Sequence, residues 1–357
     1  MRKLILAFLL LCTSAFAVDL DTKIGQMILV GFNGDSVDSP HFQKVLEQSK
    51  NGEITGVILF GKNIKSKEDL IKINEKLIAS SPIIPLISID NEGGYVQRYD
   101  FVKHKSAKEV SKLNTLEAKK EYAIMANTLE ELKINLNFAP CVDLEINPNS
   151  IIKRSERSYG IDPNMVSKYS EIFIQEHNKK HIATSIKHFP GHGSVKGDTH
   201  KGFVSATNTF KNEELIPYKK LGKYNQLNMV MVSHIFNKHF DKKYPASLSE
   251  KTINDFLIDE IGFNGVVISD DYDMGAIRKN YSLREIVVAS INAGVNILMF
   301  SNNIETNDDR IALKIKNIIK EELALGNIQI QDIENSYKKI SKLKRKLSNR
   351  NIFAKNF

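Results

Sequence analysis

The chain has 357 residues, 42% of them hydrophobic and 26% charged, which excludes a disordered polymer and supplies core for one large domain or two small ones. Its 50 Lys and Arg against 42 Asp and Glu leave a formal charge of +8. The excess lacks the aromatic interleaving of a nucleic-acid surface, so no nucleic-acid partner is expected, and two cysteines are too few for a disulfide-rich scaffold.

In chain order, residues 1–17 come first. Arg2 and Lys3 precede an apolar run from Leu4 to Leu11, and Ala15-Phe16-Ala17 puts small residues where a signal peptidase needs them. The run is too short to span a bilayer. It reads as a secretory signal peptide cleaved after Ala17, predicting an exported, periplasmic protein with no stable membrane insertion. A lipoprotein signal lipidated on Cys12 is the competing reading, weakened by Leu11 where a small residue is expected. Cleavage lowers the charge from +8 to +6 and leaves Cys141 as the single thiol, so the core alone must stabilise the rest.

Beyond the leader, apolar runs recur at 26–32, 56–60, 85–90, 136–140, 182–187, 229–234, 265–270 and 296–301. They are rich in Val, Ile, Leu and Met without polar alternation, the pattern of parallel strands buried on both faces. The segments between them carry helical spacing, as in 117–133, 163–179 and 252–261. Eight such units predict a single-domain α/β fold, a (β/α)8 TIM-type barrel spanning residues 18–357. An open doubly wound sheet is the alternative, but no Gly-rich dinucleotide turn follows the first strand. The last helix carries Ile333, Tyr337, Ile340, Leu343 and Leu347 at spacings of three and four, opposite Lys338, Lys339, Lys342, Lys344, Arg345 and Lys346. This predicts an amphipathic helix docked on the body with a solvated basic face.

Barrel enzymes place their chemistry at the C-terminal strand ends. Asp90, Lys187-His188, His234 and Asp270 end the third, fifth, sixth and seventh runs, and Asp143 and Asn302 follow the fourth and eighth. Residues 187–200, KHFPGHGSVKGDTH, concentrate two lysines, three histidines and an aspartate on what Pro190 and three glycines make a loop. Asp198 could orient His200 as a general acid/base, and Asp270 could attack an anomeric carbon. Asp271 or Asp273 suits a cap on the helix beginning near Met274. Asp90 and Arg98 flank Gly93-Gly94 and could hold sugar hydroxyls or pair with each other; Arg157 could clamp ligand or brace the next helix. Metal binding by His188, His192, Asp198 and His200 is a rival reading, but Phe189, Pro190 and Gly191 prevent the helix that usually presents two such histidines.

The segments IGQMILVGF, GVILFGKNI, IDNEGGYVQR, NLNFAPCVDLEINPNS, RSYGIDP, KHFPGHG with GDTH, MVSHI with PASLS, and VVISDDYDMGAI resemble glycoside hydrolase family 3, in its single-domain bacterial β-N-acetylhexosaminidase branch. They run in order from Ile24 to Ile277. The resemblance implies retaining hydrolysis of terminal β-linked N-acetylglucosamine, with Asp270 as nucleophile, His200 as acid/base and Asp198 as its partner. Asp90, Arg98, Arg157, Lys187 and His188 match positions that bind the sugar. No metal or organic cofactor is implied. A neutral imidazole repels an incoming anion less than a carboxylate does, which suits anionic acceptors.

Two departures touch the binding loops: Tyr95 stands where members commonly have arginine, and SERSYG is a loose version of the usual IGxRSFG. Combined with export, the resemblance points to peptidoglycan fragments or muropeptides as substrates. Rival readings are a β-glucosidase-like enzyme, a phosphorylase using phosphate in place of water, and an inactive wall-glycan-binding protein. Oligomeric state is not legible from the sequence.

Overall fold

The computed structural model describes residues 18–224, 226–303 and 308–348. The expected signal peptide, Cys12 included, lies outside the described residues.

Each of the eight apolar runs marks one strand: β1 (Ile28–Gly31), β2 (Gly56–Leu59), β3 (Leu86–Ile89), β4 (Leu136–Asn137), β5 (Ala183–Phe189), β6 (Met229–Val232), β7 (Val266–Ser269) and β8 (Leu298–Phe300), of which β5 alone overruns its run, by two residues past Lys187. All neighbours pair in parallel in the order β7-β6-β5-β4-β3-β2-β1-β8. The two ends of that order meet through the Ile268–Ile297 bridge and the Ser269 amide, which donates to the Ile297 carbonyl at 3.1 Å. The sheet is thus a nearly closed (β/α)8 barrel, and closure explains the unalternated apolar runs, since one face fills the barrel while the other lies under helices.

Asparagines extend the short strands. Asn137 Oδ1 accepts from the Asn91 amide at 3.0 Å while its Nδ2 donates to the Asn91 carbonyl at 2.9 Å, and Asn135 does the same for the Ile87 amide and Pro85 carbonyl at 2.8 and 2.9 Å. A side-chain amide offers the same donor and acceptor as a peptide group, so the ladder continues beside a β4 of two residues.

The helix Thr115–Glu131 begins on a capping box between Asn114 and Glu117. Pro163–Asn178 starts with Pro163 in its first turn, capped by Asp162. The expected helix at 252–261 is observed as Lys251–Glu260, wound in the wider π form. Its buried residues Ile253 and Leu257, with Ile261 just beyond, recur every four positions, a spacing that suits a wide turn as well as an α turn. No helix of the described residues is long and apolar enough to cross a membrane.

The terminal helix, Ile330–Ser348, buries Ile333, Ile340, Leu343 and Leu347 as the spacing predicts. Lys344 departs from the expected basic face. It is buried, and its ammonium donates to Gln26 Oε1 at 2.7 Å and the Thr55 carbonyl at 2.8 Å. Burial holds its pKa well below the usual lysine value. The contact fastens the helix across the N-terminal end of the barrel, leaving the opposite end open for the strand-end residues.

Candidate active site

At the C-terminal strand ends, the loop after β3 meets the end of β5. Gly93 and Gly94 adopt φ of +90° and +57°, and a Cβ on Gly93 would fall 2.1 Å from the Lys105 carbonyl oxygen. Only glycine permits that tight return, which places Asp90, Glu92 and Arg98 together. Lys187 Nζ donates to Asp90 Oδ1 at 2.7 Å and lies 2.8 Å from Glu92 Oε1. Arg98 Nη2 donates to Asp90 Oδ2 at 2.8 Å, with its guanidinium over the Phe60 ring. Arg157 grips Glu92 in a fork, Nε to Oε2 at 2.8 Å and Nη2 to Oε1 at 2.7 Å.

These pairings decide the charge states. Burial alone would raise the Asp90 carboxyl, but Lys187 and Arg98 outweigh it and hold it far below the carboxylate range. Burial would likewise raise Glu92, and Arg157 and Lys187 instead bring it down to about 2. The cations stay protonated and the acids ionised, so the side chains form a fixed electrostatic floor.

Asp143, buried just past β4, organises the other half. Its Oδ2 lies 2.6 Å from His188 Nδ1, and its Oδ1 accepts from the His192 amide at 2.8 Å. Arg157 Nη2 points at His188 Nε2 from 3.1 Å. A guanidinium can only donate, so Nε2 is the acceptor and Nδ1 carries the proton. Cys141, Asp143 and His188 have ligand atoms within 4.8 Å of one another, yet they do not fit a cation. Both imidazole nitrogens are engaged, and burial keeps the Cys141 thiol protonated far above its usual pKa. Of the four residues of the rival metal reading, His188 pairs with Asp143 beside the His192 ring, while His200 pairs with Asp198.

Asp270 follows β7 and is half-buried at the mouth. Its Oδ1 accepts from the Asp271 amide at 2.8 Å, and Oδ2 has no hydrogen-bond partner among the described residues. Burial would raise its pKa, but His234, His188, His200 and the Asp271 amide together bring it below the ordinary value. His234 is itself fixed, Nδ1 to Ser247 Oγ at 2.7 Å and Nε2 to the Asp271 carbonyl at 2.9 Å. Asp271 and Asp273 do not cap the next helix, whose N-cap, Met274, has no side-chain hydrogen bond. They reach across to β8: Asp271 accepts from the Ser301 amide at 2.9 Å and from its hydroxyl, and Asp273 from the Asn302 amide at 2.9 Å. That lattice locks the strand end carrying Asp270.

Asp198 and His200 lie on the loop facing it. His200 Nδ1 is 2.9 Å from Asp198 Oδ1, which also accepts the His200 amide at 3.0 Å. The His200 side chain is 65% exposed. The Gly275 and Ala276 amides donate to the His200 and Thr199 carbonyls, both at 3.2 Å, tying the loop to the segment just past Asp270. An ionised carboxylate and an exposed imidazole backed by an acid therefore share one mouth, with an ionised polar floor beside them.

The Glycosyl hydrolase family 3 N terminal domain matches residues 19–343. The chain belongs to glycoside hydrolase family 3. It is similar to a β-hexosaminidase of Xylella fastidiosa (strain M23), 28% identical over 79% of this chain and 85% of the relative. It is also similar to one of Photobacterium profundum, 33% identical over 71% and 76%. Among solved structures it superposes on a family 3 β-N-acetylglucosaminidase from Paenibacillus sp. str. FPU-7 with TM-score 0.84 and 27% identity, over 93% of this chain. The chain spans 63% of the length of that neighbour.

Within this family 3 barrel, Asp90, Arg98, Arg157, Lys187 and His188 form one connected network. Asp198 and His200 form a pair on a loop, and Asp270 stands alone at its strand end. Glu92 and Asp143 join the network's halves, a role the sequence reading assigns to neither. Asp143 stands among the polar groups just past the strand runs in the sequence, though nothing there names its partners; Glu92, between Asn91 and two glycines, carries no spacing signal of its own. Glu214 was missed for the same reason. Its Oε2 accepts the Gly193 and Ser194 amides at 3.1 and 3.2 Å, bracing the KHFPGHG turn, and burial pushes its carboxyl up to about 7. Of the two departures, Tyr95 is 74% exposed and lies on the turn formed by Gly93 and Gly94. Tyr159 of SERSYG is a core residue, its hydroxyl 2.7 Å from that of Tyr122.

Proposed function

We propose that this family 3 enzyme is a retaining β-N-acetylhexosaminidase that removes terminal β-linked N-acetylglucosamine from peptidoglycan-derived glycans. The observation that carries the reading is the Asp270 carboxylate, held ionised at the barrel mouth with one oxygen free, across from the His200–Asp198 pair. β-Hexosaminidase relatives covering most of this chain support the sugar class.

In the first step Asp270 Oδ2 attacks C1 of the sugar as the C1–O bond to the aglycone breaks. Protonated His200 donates Nε2–H to the departing oxygen, while Asp198 holds Nδ1–H and stabilises the imidazolium. In the second step the neutral imidazole takes a proton from water, whose oxygen attacks C1 and releases Asp270. The ionised floor of Asp90, Arg98, Lys187, Glu92 and Arg157 binds the sugar hydroxyls through charge-assisted hydrogen bonds, with the His188 imidazole beside it. The leader-like residues 1–17 support action outside the cytoplasm, on muropeptides or wall glycan.

The test pairs aryl glucoside with aryl N-acetyl-β-glucosaminide, each with and without phosphate, and follows the anomer of the first product by NMR. The reading requires cleavage of the N-acetylglucosaminide with the β-anomer of free sugar appearing first. Preference for the glucoside, an α-anomer, or sugar phosphate as product would each replace it.

A further inference from the structure

The lysines of the terminal helix do not all face open solvent. A cavity of about 350 Å³ opens between that helix and the loops entering β6 and β7, lined by Lys223, Lys339, Lys342 and Lys346 and by no acidic residue. It shares Asn264, Lys339 and Lys342 with a second cavity of about 380 Å³, where Lys338 joins the lining and Asp332 is the single acid. On its other side it shares Asn228 and Lys346 with a third, of about 220 Å³. The three make one elongated groove along the helix.

Its location is the N-terminal end of the barrel: Asn228 immediately precedes β6 and Gly265 precedes β7. The mouth carrying Asp270 is at the opposite end. Lys339, Lys342 and Lys346 are three and four residues apart, so they share one helix face over about 10 Å. The Lys344 anchor to Gln26 and Thr55 fixes the rotation of that face. None of the five groove lysines makes an ion pair or hydrogen bond to a described residue, and Lys339 is half-buried, with burial lowering its pKa. Residues 349–357, which follow, contain Arg350 and Lys355 and no acidic side chain. Clustered ammonium groups without counter-charges repel one another, and a bound polyanion relieves that repulsion.

We infer that this groove binds a linear anionic glycan, at a site separate from the catalytic mouth. A row of ammonium groups within reach of one another matches carboxylates repeated along a chain. The half-buried Tyr224 ring and exposed Asn264 carboxamide in the wall suit the apolar face and hydroxyls of a sugar. A concave groove does not fit a flat bilayer.

The experiment measures binding of a hyaluronan decasaccharide to the full chain by calorimetry at two salt concentrations. A neutral maltooligosaccharide, which carries no N-acetylglucosamine for the catalytic mouth, a single-stranded oligonucleotide and phosphatidylglycerol vesicles serve as the other probes. The uronate oligosaccharide should bind, lose at least tenfold in affinity between 50 and 200 mM salt, and lose at least tenfold in the triple variant Lys339→Gln, Lys342→Gln, Lys346→Gln. Integrity of the variant is read from its unfolding temperature, so the outcome does not depend on the hexosaminidase reading. Unchanged affinity in the triple variant overturns the inference. So does equal binding of the neutral oligosaccharide, or tighter binding of the oligonucleotide or vesicles.

Discussion

Replacing Glu92 by Gln tests the electrostatic floor directly. Glu92 accepts both arms of the Arg157 fork and lies 2.8 Å from Lys187 Nζ. Glutamine keeps the shape but turns an NH2 toward one of these cations and leaves both short of a counter-charge. Breaking a buried pair in this way costs about 3–5 kcal/mol. The titration of Glu92 supplies a second route to the magnitude: a pKa lowered from 4.5 to about 2 corresponds to about 3 kcal/mol of stability at neutral pH. Because the folded-state pKa is the depressed one, that contribution is complete above pH 4.5 and fades as pH falls toward about 2. Urea unfolding of wild type and Glu92→Gln at a series of pH values should show a gap of about 3 kcal/mol at pH 7 that narrows steadily below pH 5. A gap under about 1 kcal/mol at pH 7, or one that stays constant to pH 3, would refute the reasoning.

Four further outcomes follow from the same geometry. Asp270→Asn should lower kcat for an aryl N-acetylglucosaminide by about 10³-fold or more, and mass spectrometry with a slow 5-fluoro substrate should find the glycosyl group on Asp270 in wild type only. His200→Ala should cost about 10²–10⁴-fold on glycan substrates but far less on an aryl glycoside whose leaving group needs no proton; equal losses on both would remove His200 as the acid. Lys344→Met should abolish a pH dependence of stability. A lysine whose folded pKa is depressed binds fewer protons in the folded state, so wild type should gain on the variant between pH 8 and 10, and parallel curves would contradict its buried placement. Dialysis against EDTA should leave hydrolysis unchanged, and a loss restored by zinc would reopen metal binding at the histidines.

The barrel was legible because each strand is a short run of Val, Ile, Leu and Met buried on two faces, and burial leaves that pattern regardless of what the strand pairs with. Asp90, Lys187 and Asp270 were legible for a related reason, as each is the first ionisable group where an apolar run stops, and His188 follows Lys187 directly. Asp271 and Asp273 show the limit of local reasoning. Their position before a helix suggested capping, but partners just past β8, roughly thirty residues later, claimed both carboxylates. Lys344 was grouped with the solvated lysines because sequence spacing cannot show that two carbonyl oxygens from Gln26 and Thr55 wait opposite one member of a basic face.

The sequence by itself determined the fold class, the end of the barrel where the ionisable strand-end groups gather, and the residue types available there, since these depend on periodicity and on which side chains ionise. Tertiary structure alone decided who pairs with whom: that Glu92 joins Lys187 to Arg157, that Asp143 sets the His188 tautomer, and that the terminal lysines flank a groove. Charge states and hydrogen bonds depend on distances of a few ångströms between residues far apart in the chain, and only the closed barrel brings those residues together.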